Sequence, residues 1–560
     1  MVDNRIEGIT GCYGGRGGYP GAGGKGGDGG YGGRGGDGGA GGDAGRGGDG
    51  GEGGPAYGIR DPSTTAFILR NTIECIDGGK GGDAPLAGTG GDGGHGGTSL
   101  TIITYDQGDG GNGGKGASSG DAGDGGPAFG ILSDSNSDVM NNVVHRIRGG
   151  DGGEIYRGGN TDGGDGGDGG AGPSIGGFGG DGGDGGDGGD IGKGGDAGDA
   201  YGIRAEGGGT SSRIINNTVD LLSRGEIPPL PSPSQGGEGG SGGNAEHPGA
   251  PGQDGNPGSP GQPGAEGKTV GLHFTNGVSA EVYNNIVVRT TGTFTNSFGI
   301  SGTVSSGSQA AAAAISLDYN DVWNWQMNYS GISSGTNDIS QDPLFVDVLH
   351  GDYHLRTGSP CIDAASNDQA PVNDRDGVLR PQDGNLDGVF IADIGAYEFI
   401  TGTTTFTITT DVSGTMSTDD GRVRIEWPTA SVTCTVVMTY TPLGRPGENL
   451  PTFLSFGGIA FDLQATDCNG DPVEAFLKPL TLTIRYIEEL LPEGMDENSL
   501  ELYKWDADKG EWVKLEVISR DPVNNTITVR LERLCEFDLV GVVSEKQYIY
   551  LPLVLRNYGP

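Results

Sequence analysis

Basic residues, cysteine, histidine and tryptophan are all scarce in this chain. Only 34 Lys and Arg stand against 75 Asp and Glu, a formal net charge of −41. Phosphate binding needs clustered Lys and Arg, so the balance argues against nucleic acid and anionic membranes as partners. The same balance suits a hydrated extracellular surface, one able to hold divalent cations. The 6 cysteines include no CxxC pair, which removes the common zinc patterns. Cys434, Cys468 and Cys535 fall in one region, where one disulfide is expected and its pairing stays open. No stretch reaches the ~18–20 apolar residues of a membrane span. All 5 tryptophans lie beyond residue 320, so conventional cores are expected mainly in the second half. No leader peptide is present: Met1-Val2-Asp3-Asn4 enters structure at once. Met1 is read as standing in for a removed leader, which places the protein outside the cell or on its surface. At 560 residues the chain should hold two to four domains.

Glycine is what the chain has in excess. All but 26 of its 122 glycines precede Lys268. They recur as Gly-Gly-X triplets, in runs such as GGYGGRGGDGGAGGDAG from Gly29 and GGFGGDGGDGGDGGDIGKGGDAG from Gly176. A random glycine-rich coil needs no period. A polyproline-II-type helix has three residues per turn. On such a helix the triplet puts every X on one edge and leaves two edges bare. Bare edges let rods lie backbone against backbone, so that N–H and C=O groups pair between rods. The alternative is a disordered segment, the usual outcome of high glycine and proline without a period. The collagen-like block from Gly249 (GAPGQDGNPGSPGQPG) is read as one more left-handed rod at the edge of the bundle, stiffened by proline.

A second repeat runs beneath the triplets. Tyr57-Gly58-Ile59, Phe129-Gly130-Ile131, Tyr201-Gly202-Ile203 and Val270-Gly271-Leu272 open equivalent units at spacings of 72, 72 and 69 residues, and Phe298-Gly299-Ile300 follows after 28. Each of the first four units carries a further mark: Asn71-Thr72-Ile73, Asn142-Val143-Val144, Asn217-Thr218-Val219 and Asn285-Ile286-Val287. Asn320-Asp321-Val322 comes later in the fifth unit, and Asn4-Arg5-Ile6 matches the same mark. Short strands at fixed spacing with no helical period between them indicate a solenoid of stacked coils. Asparagine stacked on asparagine would satisfy the turns. The glycine rods are then insertions projecting from one region of the solenoid.

This pattern resembles the right-handed parallel β-helix of the pectin-lyase-like superfamily. Its end is more specific. Asn337-Asp-Ile-Ser-Gln-Asp-Pro-Leu-Phe-Val346, Gly351-Asp-Tyr-His-Leu-Arg-Thr-Gly-Ser-Pro-Cys-Ile-Asp363, Asp374-Arg-Asp-Gly-Val-Leu-Arg-Pro381 and Asp393-Ile-Gly-Ala-Tyr-Glu-Phe399 follow one another. Together they resemble the terminal segment of bacterial choice-of-anchor Q surface proteins, which closes a secreted β-helix. Beyond it, alternating runs such as Val423–Trp427, Leu480–Tyr486, Leu500–Trp505 and Asn525–Leu531 read as a β-sandwich. Lys478–Tyr486 with Trp505 and Trp512 is similar to ZU5-like modules, known for packing and interaction rather than catalysis. The expected architecture is therefore all-β. Residues 1–268 are coils carrying the rods, 269–400 the last coils and closing segment, 401–545 the sandwich, and 546–560 a tail strand. Tyr548–Arg556 resembles short tails of secreted bacterial proteins, a candidate sorting signal or added strand.

The β-helix resemblance raises an enzyme reading, a polysaccharide lyase or hydrolase. Glycoside hydrolysis needs two placed carboxylates. Asn160-Thr161-Asp162 and Gly94-His95-Gly96 echo polygalacturonase phrases, but in reversed order and inside glycine blocks, and Asp419-Asp420 falls in the sandwich. The histidines His95, His145, His247, His273, His350 and His354 show no metal spacing, and His350 with His354 lacks an HExxH motif. Asp383, Asn385 and Asp387 in Asp383-Gly-Asn-Leu-Asp-Gly388 have the oxygen-rich spacing of a calcium loop, without the glutamate such a loop ends on, since Ile394 stands there next to Asp393. A plain turn is the competing reading. The leading expectation is a non-enzymatic structural or adhesive protein whose partners are surface glycans, receptors or itself. Tyr19-Pro20 and Pro85-Leu86-Ala87 are candidate contact loops, and the open first coil a candidate fibre contact. Ice binding is a third reading, which the frequent Asp opposes.

Overall fold

The computed structural model describes all residues except 20, 31–35, 63–65, 86–87, 99–106, 134–135, 157–161, 173–176, 208–210, 276, 292–294, 303–314, 401, 419–420, 444–449, 452–453, 474, 489–490, 492–494, 508, 535 and 542–560. The chain divides into two compact units. One comprises Met1–Glu281, Val287–Leu317 and Val322–Ser340; the other Val282–Ile286, Asp318–Asp321 and the chain from Gln341.

The coils are a parallel β-helix built on three parallel sheets. The first runs Arg5–Thr10, Thr72–Asp77, Val143–Arg148, Thr218–Asp220, Ile286–Val288 and Asp321–Trp323. The second runs Ala56–Asp61, Ala128–Ser133, Ala200–Ala205, Thr269–Phe274, Ser297–Gly302 and Met327–Ser330. The third holds Ala66–Leu69, Ser137–Met140, Ser211–Ile215, Ser279–Tyr283 and Ile315–Asp318. The sequence marks are in register: Tyr57, Phe129, Tyr201, Val270 and Phe298 align in the second sheet, Ile6, Ile73, Val144 and Val219 in the first. Ile73, Val144 and Val219 stack at 0 % exposure and form the coil core.

The two marks depend on each other. A Cβ on Gly58 would run into Ile73; Gly130, Gly202, Gly271 and Gly299 face Val144, Val219, Val287 and Val322 in the same way. The glycine of the first mark makes room for the β-branched residue of the second. Between the third and first sheets the chain turns through a left-handed residue. Asp3, Arg70, Asn141, Asn216, Asn284 and Tyr319 have φ between 53 and 59°, a conformation that costs an ordinary L-residue roughly 1 kcal/mol or more. The next residue is always the ladder asparagine. The N and Nδ2 of Asn4 both donate to Asn71 Oδ1 at 3.0 Å. Asn71 repeats this to Asn142 at 2.9 Å, and Asn142 to Asn217 at 3.0 and 2.9 Å. Asn285 makes the same pair to Asn320 at 3.0 and 2.9 Å. One carboxamide thus satisfies its own turn and the next.

Every glycine insertion leaves from the end of a first-sheet strand and returns to a second-sheet strand. Each is a hairpin of rods: 11–19 and 21–30 with 36–55, 78–85 and 88–97 with 108–127, 149–156 and 162–172 with 177–199, and 225–244 with 249–267. Outgoing rods bond to one another in series, as Gly14 N to Lys80 O and Gly81 N to Asp151 O, both 2.8 Å. Returning rods do likewise, as Gly38 N to Asp109 O and Gly110 N to Asp181 O at 2.8 Å. Antiparallel bonds cross between the two series, as Gly82 N to Gly51 O at 2.7 Å and Gly111 N to Gly94 O at 2.8 Å. The result is a two-layer slab of eight rods, with the collagen-like block as its last member.

In the second unit, two antiparallel sheets enclose one core. Thr404–Ile408, Val436–Pro442, Ser455–Thr466, Glu536–Gly541, Glu501–Asp506 and Glu511–Lys514 form one; Gly414–Ser417, Val423–Trp427, Ala475–Arg485, Thr526–Arg533 and Val517–Asp521 form the other. Phe461 and Phe537 stack at 5.3 Å between them. Cys434 pairs with Cys468, with Cα atoms 6.0 Å apart; Cys535 lies outside the described residues. Ahead of the sandwich, a buried Arg380–Glu398 ion pair at 3.0 Å ties the segment around Asp374 and Asp393 together.

Candidate functional site

The slab is where this chain departs from an ordinary coil, and in its interior a triplet can account for all three of its N–H groups. The first glycine donates to an X carbonyl in the next rod of its own layer. The second donates to a glycine carbonyl of the opposite layer. The X residue itself faces solvent, and its N–H would be left to water. Here the aspartates act. Asp109 N donates to Asp37 Oδ1 at 3.2 Å, Asp181 N to Asp109 Oδ1 at 2.9 Å, and Ala250 N to Asp181 Oδ1 at 2.7 Å. Gln253, Asn256 and Ser259 donate in turn to Asp184, Asp187 and Asp190, each at 2.8 Å. On the outgoing face Asp165 N reaches Asp92 at 3.2 Å and Glu238 N reaches Asp165 at 2.9 Å. Asn112 Oδ1 and Ser118 Oγ replace the carboxylate at two places, for Asp184 N at 3.0 Å and Asp190 N at 3.3 Å.

These carboxylates are structural acceptors as well as a hydrated anionic surface. The backbone N–H of Asn256 and of Ser259 is the leading cause that lowers the pKa of Asp187 and Asp190. The sequence reading counted the charge and missed the acceptor. A signal was available: Asp37, Asp109 and Asp181 recur at the 72-residue beat, as do Asp49 and Asp121. The last returning rod has no follower, and its X residues are Ala250, Gln253, Asn256, Ser259, Gln262 and Ala265, none of them Asp.

The expected contact loops are placed differently. Tyr19 is 60 % exposed, but Pro85 is buried: Ala84–Pro85 pairs with Ile155–Tyr156 inside the slab. Ala84, Ala122, Ile155 and Ile191 form a small apolar seam with Leu230 packed on it. The sequence interrupts its triplets here to supply side chains to an internal contact, so Pro85 is no projecting tip. Pro20, Leu86 and Ala87 lie outside the described residues, as do Asn160, Thr161, Asp419, Asp420 and Tyr548–Arg556.

Asp383, Asn385 and Asp387 do share one turn. Asp383 accepts N–H bonds from Asp387 at 3.1 Å and Gly388 at 2.9 Å. Asn385 Oδ1 accepts from Asp387 N at 2.9 Å and Asp387 from Val389 N at 2.8 Å. Asp363, which the sequence did not single out, accepts from Gly384 and Asn385 at 3.1 and 2.7 Å. Burial pushes the Asp363 carboxyl up, those two N–H bonds hold it down, and Asp383 and Asp387 raise it again. A calcium ion there would have to share oxygens that the turn already uses. Among the described residues, one set of three His, Cys, Asp or Glu ligand atoms converges, Cys434, Asp467 and Cys468, and its sulfurs are bonded to each other.

Sequence reasoning also missed a titratable row on the first sheet. Glu7, Glu74, His145 and Asp220 occupy one register, each three residues after a ladder asparagine. Glu74 binds Arg5 at 2.6 Å and lies 3.4 Å from His145 Nε2. Burial, then Arg146 and Arg5, lowers the His145 pKa to about 4. The ring is neutral near pH 7, and its contact with Glu74 is no ion pair there. On the second sheet His273 Nδ1 meets Ser301 Oγ at 2.7 Å. Burial, then Arg204, again brings the imidazole to about 4, a weak base for activating a hydroxyl.

No family model and no curated protein matches this chain. No described helix is long and apolar enough to cross a membrane.

Proposed function

We propose that this is a non-enzymatic structural and adhesive protein of an extracellular or cell surface. The β-helix serves as the stalk, the slab as a rigid anionic platform, and the sandwich with its tail as the attachment end. The observation that supports this most is the bonding of the triplets: backbone and carboxylates are committed to holding a surface in shape. The resemblance to choice-of-anchor Q and ZU5-like surface proteins points the same way. The histidines of the coils add support, because His145 and His273 are held neutral and tied to neighbours.

Two assays test the proposal. Antibody labelling of intact cells of the source organism should place the protein outside, on the surface. Incubation of the purified chain with pectin, polygalacturonate and alginate should release neither unsaturated product, read by ultraviolet absorbance, nor new reducing ends. Turnover of any of these by the purified chain would replace the structural reading with an enzymatic one.

A further inference from the structure

We propose that the slab edge formed by residues 11–19 and 21–30 docks against the same edge of a second copy of this chain, giving a closed two-fold dimer. The first rod is bare on two edges, yet the chain packs only one of them. A side chain at Gly15, Gly18, Gly21, Gly24, Gly27 or Gly30 would meet nothing within 4 Å. All six are exposed, and none has a left-handed φ. Neither space nor backbone angle asks for glycine there, and glycine carries an entropic cost that any other residue would reduce.

One coil later the equivalent glycines show what the edge is for. Gly82, Gly91, Gly94 and Gly97 donate their N–H to Gly51, Gly42, Gly39 and Gly36 at 2.7–2.9 Å. In the first rod the corresponding carbonyls, from Gly15 to Gly30, accept from the returning rod, but the six N–H groups have no backbone acceptor among the described residues. The partner must bring backbone carbonyls close, so it must be bare on its own facing edge. Of the rod glycines whose surroundings are described, these six are the ones whose missing side chain faces open space. The surface that fits the edge is therefore the edge itself, and self-complementarity implies a two-fold axis. Antiparallel rods already pack this way inside the slab. The carbonyls of Tyr13 and Lys25, which accept no backbone bond, are available to the partner. Strand Arg5–Thr10 lies at the same end and pairs only with Thr72–Asp77.

The far edge is closed to this chemistry. In the last rod Pro251, Asp254, Pro257, Pro260, Pro263 and Glu266 stand where the other returning rods carry mostly the first glycine of the triplet. Proline has no N–H to offer. Asp254 uses its carboxylate at home, accepting from Gly239 N at 2.9 Å. Growth therefore stops at two copies, in contrast to the fibre expected from an open coil.

Sedimentation velocity of the intact chain tests this. Two chains per particle are expected, and Gly15→Leu/Gly21→Leu/Gly27→Leu should give one chain with an unchanged circular dichroism spectrum. Gln253→Leu/Gln262→Leu, on the last rod, should remain a dimer. Amide exchange in residues 11–30 gives a readout on the unmodified chain: protection should rise with protein concentration. A single-chain wild type, an open-ended series of sizes, a dimeric triple variant or exchange independent of concentration would each overturn the proposal.

Discussion

Replacing Asp181, Asp184, Asp187 and Asp190 together separates two roles that the carboxylates play at once. Each accepts one N–H from the last rod, at 2.7, 2.8, 2.8 and 2.8 Å. A hydrogen bond contributes about 0.5–1.5 kcal/mol net, and these are solvent-facing, so the lower half of that range applies. Four of them in a row sum to roughly 2–4 kcal/mol. That is enough to lower amide protection about 30- to 700-fold where the rods open locally. The informative amides are Gly182, Gly185 and Gly188, which donate to the carbonyls of Ala250, Gln253 and Asn256 at 2.8 Å. Hydrogen exchange read by mass spectrometry on the intact chain reports them. The quadruple Ala variant should lose protection. The quadruple Asn variant should keep it, since it removes four charges and retains four acceptors, as Asn112 already does at 3.0 Å. If Asn loses as much as Ala, charge rather than acceptance holds the rods. If Ala loses nothing, the ladder is decoration on a slab held by glycine alone.

Acid should act on the same ladder. Asp187 and Asp190 have pKa values lowered from 3.8 by their backbone donors. A depressed carboxylate stabilises the fold above its unfolded pKa and loses that contribution as pH falls through the folded one. Slab amides should therefore lose protection below about pH 4 while coil-core amides such as Val144 keep theirs, as amide exchange across pH would show. Asn142→Leu should cost about 3 kcal/mol or more in chemical unfolding of the coils, because it strands buried groups that now bond Ile68 O, Met140 O, Asn71 and Asn217; Asn4→Leu, at the exposed end, should cost far less. Asp538 is buried with neither oxygen bonded among the described residues, and burial, followed by Glu536, raises its pKa to about 8. The fold holds a proton that the unfolded chain releases near 3.8, so sandwich stability should fall as pH rises from about 4 to 8 and level off above. Asp538→Asn should flatten that slope in thermal melts.

Much of the architecture was legible because it is periodic. The Tyr-Gly-Ile and Asn-x-Ile marks predicted strands in register, and the triplets predicted rods bonded backbone to backbone. What the marks concealed is that they are coupled, Gly130 giving way to Val144. Pro85, beside the seam of Ala84 and Ile155, read as part of a contact loop because an apolar cluster of so few side chains leaves no periodic trace. Pairing among three cysteines was open in one dimension, and only the approach of Cys434 to Cys468 decides it. The role of Asp181 was hidden by its charge: an exposed carboxylate in an anionic chain is ordinarily a solvated face, and its acceptor role depends on a residue 69 positions away.

The repeat lengths carry one more implication. Successive units measure 72, 72 and 69 residues, so the shortest differs by one triplet. In the slab, position along the rod and orientation around it are the same variable, since each residue advances both. Losing a whole triplet shortens a rod and leaves every Asp on its outer edge. Losing one residue turns everything downstream by a third of a revolution, carrying carboxylates between the layers and glycine out to water. Length is therefore quantised in threes within an unbroken run of triplets; Gly152 and Gly163, first glycines of one outgoing rod, lie 11 residues apart and both bond to the next rod, so the phase is reset between them.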